Sequence, residues 1–197
     1  RVTGVDFSDL AISQARELAS RLNLDARFLC SDVYELDQQL QQQFDIVYTS
    51  YGVLPWLPDL ERWASIVSHF LKPGDKLVLV EFDPVVWMFD DASEKIYYSY
   101  FKEDAIAEEN VGTYVDGGAD MQLDCITWNH SLSETISSLL RQNLQIEEFN
   151  EYKQAPYNCL NGMKELSPGN FVIEKFGTKL PLVFSIIARK GYGEAKH

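Results

Sequence analysis

Short apolar runs alternate with longer amphipathic stretches along this chain, and the rhythm predicts its elements. Val2-Thr3-Gly4-Val5 is an apolar run closed by Asp6. Ile12, Ala15, Leu18, Ala19 and Leu22 then follow at helical spacing. Ser8 stands where an N-cap belongs, and Asp9 complements the positive end of the helix dipole. Beyond the turn Asn23-Leu24-Asp25, the run Ala26-Arg27-Phe28-Leu29-Cys30 predicts a second strand, again trailed by an acid in Ser31-Asp32. Residues 33–43 are polar except for Leu36 and Leu40 on one side, which fits a short surface helix. Phe44–Ser50 predicts a third strand, closed by Tyr51-Gly52. Pro58-Asp59 opens a helix with a broad apolar face (Leu60, Trp63, Ile66, Val67, Phe70, Leu71), and Lys72-Pro73-Gly74 ends it. The unbroken run Lys76-Leu77-Val78-Leu79-Val80 is that of a parallel strand covered on both faces.

Strand and helix in turn, with short connections, imply an α/β chain: a doubly wound, mostly parallel sheet joined by right-handed crossovers. The rhythm breaks at residues 84–128. This insertion is rich in acids and in aromatics, among them Trp87, Phe89, Tyr97, Tyr98, Tyr100, Phe101, Tyr114 and Trp128. Within it Val115-Asp116-Gly117-Gly118 reads as a hairpin turn, with Met121, Leu123 and Cys125 alternating beyond. A segment of this length is either a binding loop or lid, or a small satellite core. Ser131 and Glu134 then stand at capping-box spacing ahead of Ile136, Leu139 and Leu140. Two strands close the pattern, Leu144–Tyr152 and residues 181–188. Residues 153–180 hold no helix long enough for a crossover, so the last strand is expected to return antiparallel. No repeat or linker divides the chain, so residues 1–197 read as one domain carrying the insertion 84–128.

Composition narrows the partners. A net charge of −13 turns the expectation away from nucleic acid, whose phosphates call for Lys and Arg. Cys30, Cys125 and Cys159 are odd in number and widely spaced, and His69, His130 and His197 show no ligand spacing. Neither a disulfide framework nor a metal site is implied, and the default is a reduced, cytoplasmic protein. No apolar run approaches membrane-spanning length.

The candidate chemistry lies in the acids that close the first two strands. Open α/β sheets bind ligands beside the carboxyl ends of their strands. There Asp6 has two roles open to it: capping the following helix, or accepting bonds from the vicinal hydroxyls of a ribose. Asp32 has the same choice between a turn and a ligand.

With Asp6, Asp32, the Phe44–Ser50 strand and the Leu71-Lys72-Pro73-Gly74 stop in order, the chain resembles the class I S-adenosylmethionine-dependent methyltransferases over nearly all its sheet elements. The resemblance implies S-adenosylmethionine as cofactor. It places Asp6 on the cofactor ribose, Phe7 against adenine, Asp32 on the adenine amino group and the Val33 amide at the ring. Ser50 and Tyr51, in Ser50-Tyr51-Gly52, match the loop beside the methionine portion by position. One departure is large, because the family's first strand and its glycine-rich loop are absent from these residues. That strand belongs between those beginning near Val2 and near Phe44, and its absence leaves their backbone groups unpaired. Residues upstream of Arg1 are therefore expected to complete the sheet.

The function expected is methyl transfer to a small molecule, and orientation is what such a protein mainly supplies. His130 is the candidate base, with the filling of a turn before the capping Ser131 as its other role. Tyr97, Tyr98 and Trp128 are candidate walls of the substrate pocket or members of a local core. Two rival functions share the scaffold. An NAD(P)-dependent oxidoreductase also binds ribose with an acid after its second strand, and a non-catalytic protein could bind a nucleoside cofactor. The second acid and the antiparallel final strand favour the methyltransferase.

Overall fold

The computed structural model describes residues 1–90, 92–111 and 122–193. Its order is β1 (Val2–Asp6), α1 (Asp9–Arg21), β2 (Ala26–Cys30), α2 (Leu36–Gln39), β3 (Phe44–Ser50), α3 (Leu60–Phe70) and β4 (Leu71–Phe82). There follow β5 (Ile106–Val111), β6 (Gln122–Thr127), α4 (Leu132–Arg141), β7 (Leu144–Tyr152), β8 (Met163–Ser167), β9 (Asn170–Ile173) and β10 (Val183–Lys190). The expected caps form. The Ser8 side chain accepts from Ala11 N at 3.2 Å, Asp59 from Arg62 N at 3.0 Å and Ser131 from Glu134 N at 3.2 Å.

The main sheet runs β3-β4-β10-β7. β3 and β4 are parallel, and β10 lies antiparallel between β4 and β7, as the missing crossover helix requires. Along β4, Leu77 and Leu79 face a buried cluster with Trp63, Ala64 and Val67 of α3, Leu139 of α4 and Ile186 of β10. The opposite face presents Phe82 to Val86, Ala155, Ile173 and Leu182. Coverage on both faces is why this strand reads as a continuous apolar run. Each fully buried Leu here contributes roughly 1.5–3 kcal/mol over an exposed one.

β1 and β2 form a separate parallel pair, with Asp6 opposite Cys30. Among the described residues no strand joins β1 to β3, so each keeps an unpaired edge. Val2 (61% exposed), Ile46 (62%) and Tyr48 (59%) stand open where the apolar pattern had predicted burial. Of the α1 stripe only Ile12 and Ala19 are buried, while Leu18 and Leu22 remain in solvent because the helix has only a two-stranded surface to cover.

The insertion holds a 3₁₀ turn, Val86–Met88, and the β5–β6 hairpin, paired from Ile106 opposite Thr127 to Val111 opposite Gln122. The turn expected at 115–118, together with Tyr114, Met121 and His197, lies outside the described residues. Residues 153–180, where no crossover helix was expected, contain a second hairpin, β8–β9. Its turn is Pro168-Gly169, with Gly169 at φ 73°, and that dipeptide was the available signal.

Candidate active site

Parallel pairing delivers the two acids to one edge. Asp6 ends β1 opposite Cys30, Ser31 N donates to Asp6 O at 2.9 Å, and Asp32 follows directly. Both side chains are exposed. Each uses one carboxylate oxygen on its own loop, Asp6 Oδ1 accepting from Ser8 N and Asp32 Oδ1 from Tyr34 N, both at 2.8 Å. The capping role and the ligand role therefore coexist, because the second oxygen of each makes no bond among the described residues. Phe7 is 78% exposed beside them, and its carbonyl accepts from Cys30 Sγ at 3.4 Å. Val33 divides its parts: its side chain packs against the core, and its amide opens a 3₁₀ turn, where first-turn N–H groups lack an internal acceptor.

The end of β3 comes to the same edge. Tyr34, two residues after Asp32, donates its hydroxyl to Asp59 O at 3.0 Å and accepts from Asp59 N at 2.9 Å. Asp59 caps α3, the helix that follows the loop after β3, so that loop and Asp32 share one rim of the molecule. Burial raises the Tyr34 pKa, so the phenol keeps its proton for this bond.

The loop after β3 is held from β4 by Glu81, which is 1% exposed. Its Oε2 accepts from Val53 N at 2.8 Å and Leu54 N at 3.0 Å. Its Oε1 accepts from Phe82 N at 2.8 Å and from Gly52 N. Burial pushes its pKa up, while the four amide bonds pull it back. The loop needs such an anchor because Tyr51 (φ 47°) and Gly52 (φ 85°) both sit in the left-handed region, which costs a tyrosine energy. Tyr51 is thereby set against Phe82 and Tyr157, with ring centroids 6.0 and 6.1 Å away, and Ser50 stays half-buried as the last residue of β3. Nothing in the pattern had singled out Glu81. Its one signal was an acid inside a run destined to be buried.

Next along the chain Asp83 is fully buried, with Oδ1 accepting from Val85 N at 3.0 Å and Oδ2 without a hydrogen bond among the described residues. Burial pushes its pKa up to about 6, against the Val85 bond and with help from the charge of Glu151.

His130 is buried between the loop and α4. Its Nε2 lies 2.8 Å from the Leu57 carbonyl, so that nitrogen carries the proton, and Nδ1 lies 3.1 Å from Glu134 Oε2. Glu134 thus meets the imidazole where the capping-box spacing had it reach back to the helix start. A pocket of about 10 Å³, close to the space one water needs, separates His130 from Glu81 and Trp87. With Nε2 protonated the basic nitrogen is Nδ1, which makes no hydrogen bond among the described residues, and the Glu134 carboxylate beside it must move for His130 to take a substrate proton there. Tyr97 and Tyr98 come together, ring centroids 4.8 Å apart, along a cleft of about 350 Å³. Trp128 does not line it, but donates its amide to Pro55 O at 2.8 Å, while its neighbour Asn129 lies at the cleft.

Comparison with known proteins agrees with this architecture. Residues 1–74 match the family described as "Methyltransferase domain". The ubiquinone biosynthesis O-methyltransferase of Coxiella burnetii is 36% identical over 76 residues, which are 39% of this chain and 32% of that protein. The chain thus spans about a third of the curated relatives it matches. A SAM-dependent methyltransferase from Methanosarcina mazei superposes with a TM-score of 0.61 at 19% identity, over 97% of this chain and 82% of that one. Another, from Clostridium acetobutylicum, gives 0.61 at 15% identity, over 96% and 74%. The geranyl diphosphate C-methyltransferase of Streptomyces coelicolor gives 0.58 at 16% identity, over 96% and 65%. The chain has the α/β Rossmann-like methyltransferase fold, with a mixed, mostly parallel sheet and an antiparallel last strand.

Proposed function

We propose that this protein binds S-adenosylmethionine and transfers a methyl group to a small molecule. The observation that carries the reading is the placement of Asp6 and Asp32 at adjoining strand ends, each with a carboxylate oxygen left over from its own loop. Those oxygens suit the hydroxyls of a ribose and the amino group of an adenine, and the exposed Phe7 ring offers an apolar face beside them. The residues present fit the nucleoside half of the cofactor. Ser50, the last residue of β3, and Tyr51, in the loop that Glu81 fixes, stand at the end of β3 for its amino-acid half.

When bound, S-adenosylmethionine supplies a methyl group on a sulfonium, a leaving group already in place. The work left to these residues is to hold two molecules in line and keep water out, and good alignment alone can lower a barrier by roughly 7–11 kcal/mol. Tyr97 and Tyr98 stand along the cleft proposed for the acceptor, Trp128 precedes its Asn129 in the chain, and His130 is the base held in reserve for acceptors that must lose a proton. The acidic surface supports a small-molecule acceptor over nucleic acid, and a cytoplasmic setting suits three free thiols.

Calorimetry with S-adenosylhomocysteine and with NADH tests the cofactor. The former is expected to bind, and Asp6→Ala to weaken it by about 1–3 kcal/mol, the worth of bonds to a charged group. Preference for NADH, or unchanged affinity in a folded Asp6→Ala protein, would reject the ribose role. Radiolabelled methyl transfer appearing only with nucleic acid or protein acceptors would reject the small molecule.

A further inference from the structure

The cleft of about 350 Å³ in the insertion falls within the size range of small-ligand pockets, roughly 300–1,000 Å³. Tyr97, Phe101 and Ile106 give it apolar walls, Glu103 and Asp104 give it negative charge, and Asn129 lies deepest, at 7% exposed. None of its described lining residues is Lys, Arg or His. The polar chemistry is one-sided. Asn129 donates its amide hydrogens to Ser99 O at 2.8 Å and Trp87 O at 3.4 Å, so any further bond its side chain makes is as an acceptor. The Tyr98 hydroxyl donates to Glu108 and is spent as a donor too. Two cations lie nearby. Lys102 donates to the Pro58 carbonyl outside the cleft, and Lys95 Nζ stands 5.5 Å from the centroid of the Tyr97 ring. The second contact sets an ammonium group over the face of this ring, within the range of a cation–π interaction.

We propose that this cleft binds a protonated amine carried on an aromatic or apolar body. Carboxylates and the Asn129 carbonyl answer the N–H donors, and the rings of Tyr97 and Phe101 cover the body. The cleft also lies toward the candidate site. Asn129 reaches the carbonyl of Trp87, and Trp87 packs edge-on against Phe82, the last residue of β4, at 5.7 Å. As the acceptor subsite the cleft rests on the function proposed above, whereas as an amine site it stands on its own geometry.

Binding of phenethylamine, 2-phenylethanol and phenylacetate to the full chain at pH 7, measured by calorimetry without cofactor, tests the proposal. The three share a body and differ in charge. The amine is expected to bind about tenfold or more tighter than the alcohol, with the acid weakest, and added salt should erode the amine's advantage. The double variant Glu103→Gln/Asp104→Asn should bring the amine down to the level of the alcohol, and Tyr97→Ala should weaken the amine. All three positions are exposed, and circular dichroism reports whether the variants fold. Equal affinities for the three probes, no amine binding at all, or an amine affinity indifferent to the double variant would overturn it. S-adenosylhomocysteine titrated into the same samples keeps the two readings apart. Its binding without the amine's sinks the cleft alone, and the amine's without its own sinks the cofactor assignment.

Discussion

Glu81 Oε2 lies 2.8 Å from the amide nitrogen of Val53, across the boundary between β4 and the loop that follows β3. With Gly52, Leu54 and Phe82 on the same carboxylate, one side chain satisfies four backbone donors. Glutamine has the shape but only one acceptor oxygen, so Glu81→Gln leaves two amides, one buried and one part-buried, without a partner. At about 1–3 kcal/mol for each orphaned group, the variant is expected to lose roughly 2–6 kcal/mol in urea unfolding. A loss under about 0.5 kcal/mol, the level of an ordinary surface change, would mean the loop holds itself.

Asp83 predicts the opposite behaviour. Its folded pKa is raised from 3.8 to about 6, so the folded state binds the proton more tightly than the unfolded chain does. Its contribution to stability is therefore complete below pH 3.8 and lost as pH rises through 6, amounting to about 3 kcal/mol. Asp83→Asn keeps an acceptor for Val85 and carries no charge. The variant should be the more stable protein at pH 7.5, and the difference should vanish near pH 4. Parallel stability curves for the two proteins across that interval would refute the buried charge.

Cys30 offers a direct view of the cofactor edge. It is exposed, stands opposite Asp6 and lies two residues before Asp32, whereas Cys125 and Cys159 are half-buried. Burial pushes the Cys159 thiol up to about 12, which makes it a poor nucleophile. Iodoacetamide followed by mass spectrometry is expected to label Cys30 first, and S-adenosylhomocysteine to slow that labelling. A rate that saturating ligand leaves unchanged would place the ligand elsewhere.

Hydrogen exchange should rank the strands by their neighbours. β10 is paired on both sides, and its amides around Ile186 are expected to be the slowest to exchange. Among the described residues β1, β2 and β3 each have one unpaired edge, and their outward amides should exchange faster than those of β4, which is paired on both sides. Equal protection of β3 and β10 would show that something covers the β3 edge.

Much of this was legible along the chain, for a physical reason. Periodicity and punctuation are local, so Ser8, Asp59 and Ser131 were readable as caps, and the run at Leu77 as a doubly covered strand. The antiparallel return of β10 followed from the lack of a helix before it. The β8–β9 hairpin was missed although Pro168-Gly169 announced it, because its strands are short and their outward residues polar. The exposure of Leu18, Leu22 and Tyr48 could not be read from periodicity, which says which side is apolar and not what lies against it.

What the sequence determined alone, then, is the set of elements and the two acids at the ends of β1 and β2, because a strand delivers whatever residue closes it. The tertiary structure decided which distant groups meet. It carried Glu81 across 28 residues to Val53, set His130 against the Leu57 carbonyl, and gathered Tyr97, Asp104 and Asn129 around one cleft. Such meetings depend on how the sheet stacks its crossovers, and an amide that donates to a distant partner, or a carbonyl that accepts from one, leaves no mark in the pattern of side chains.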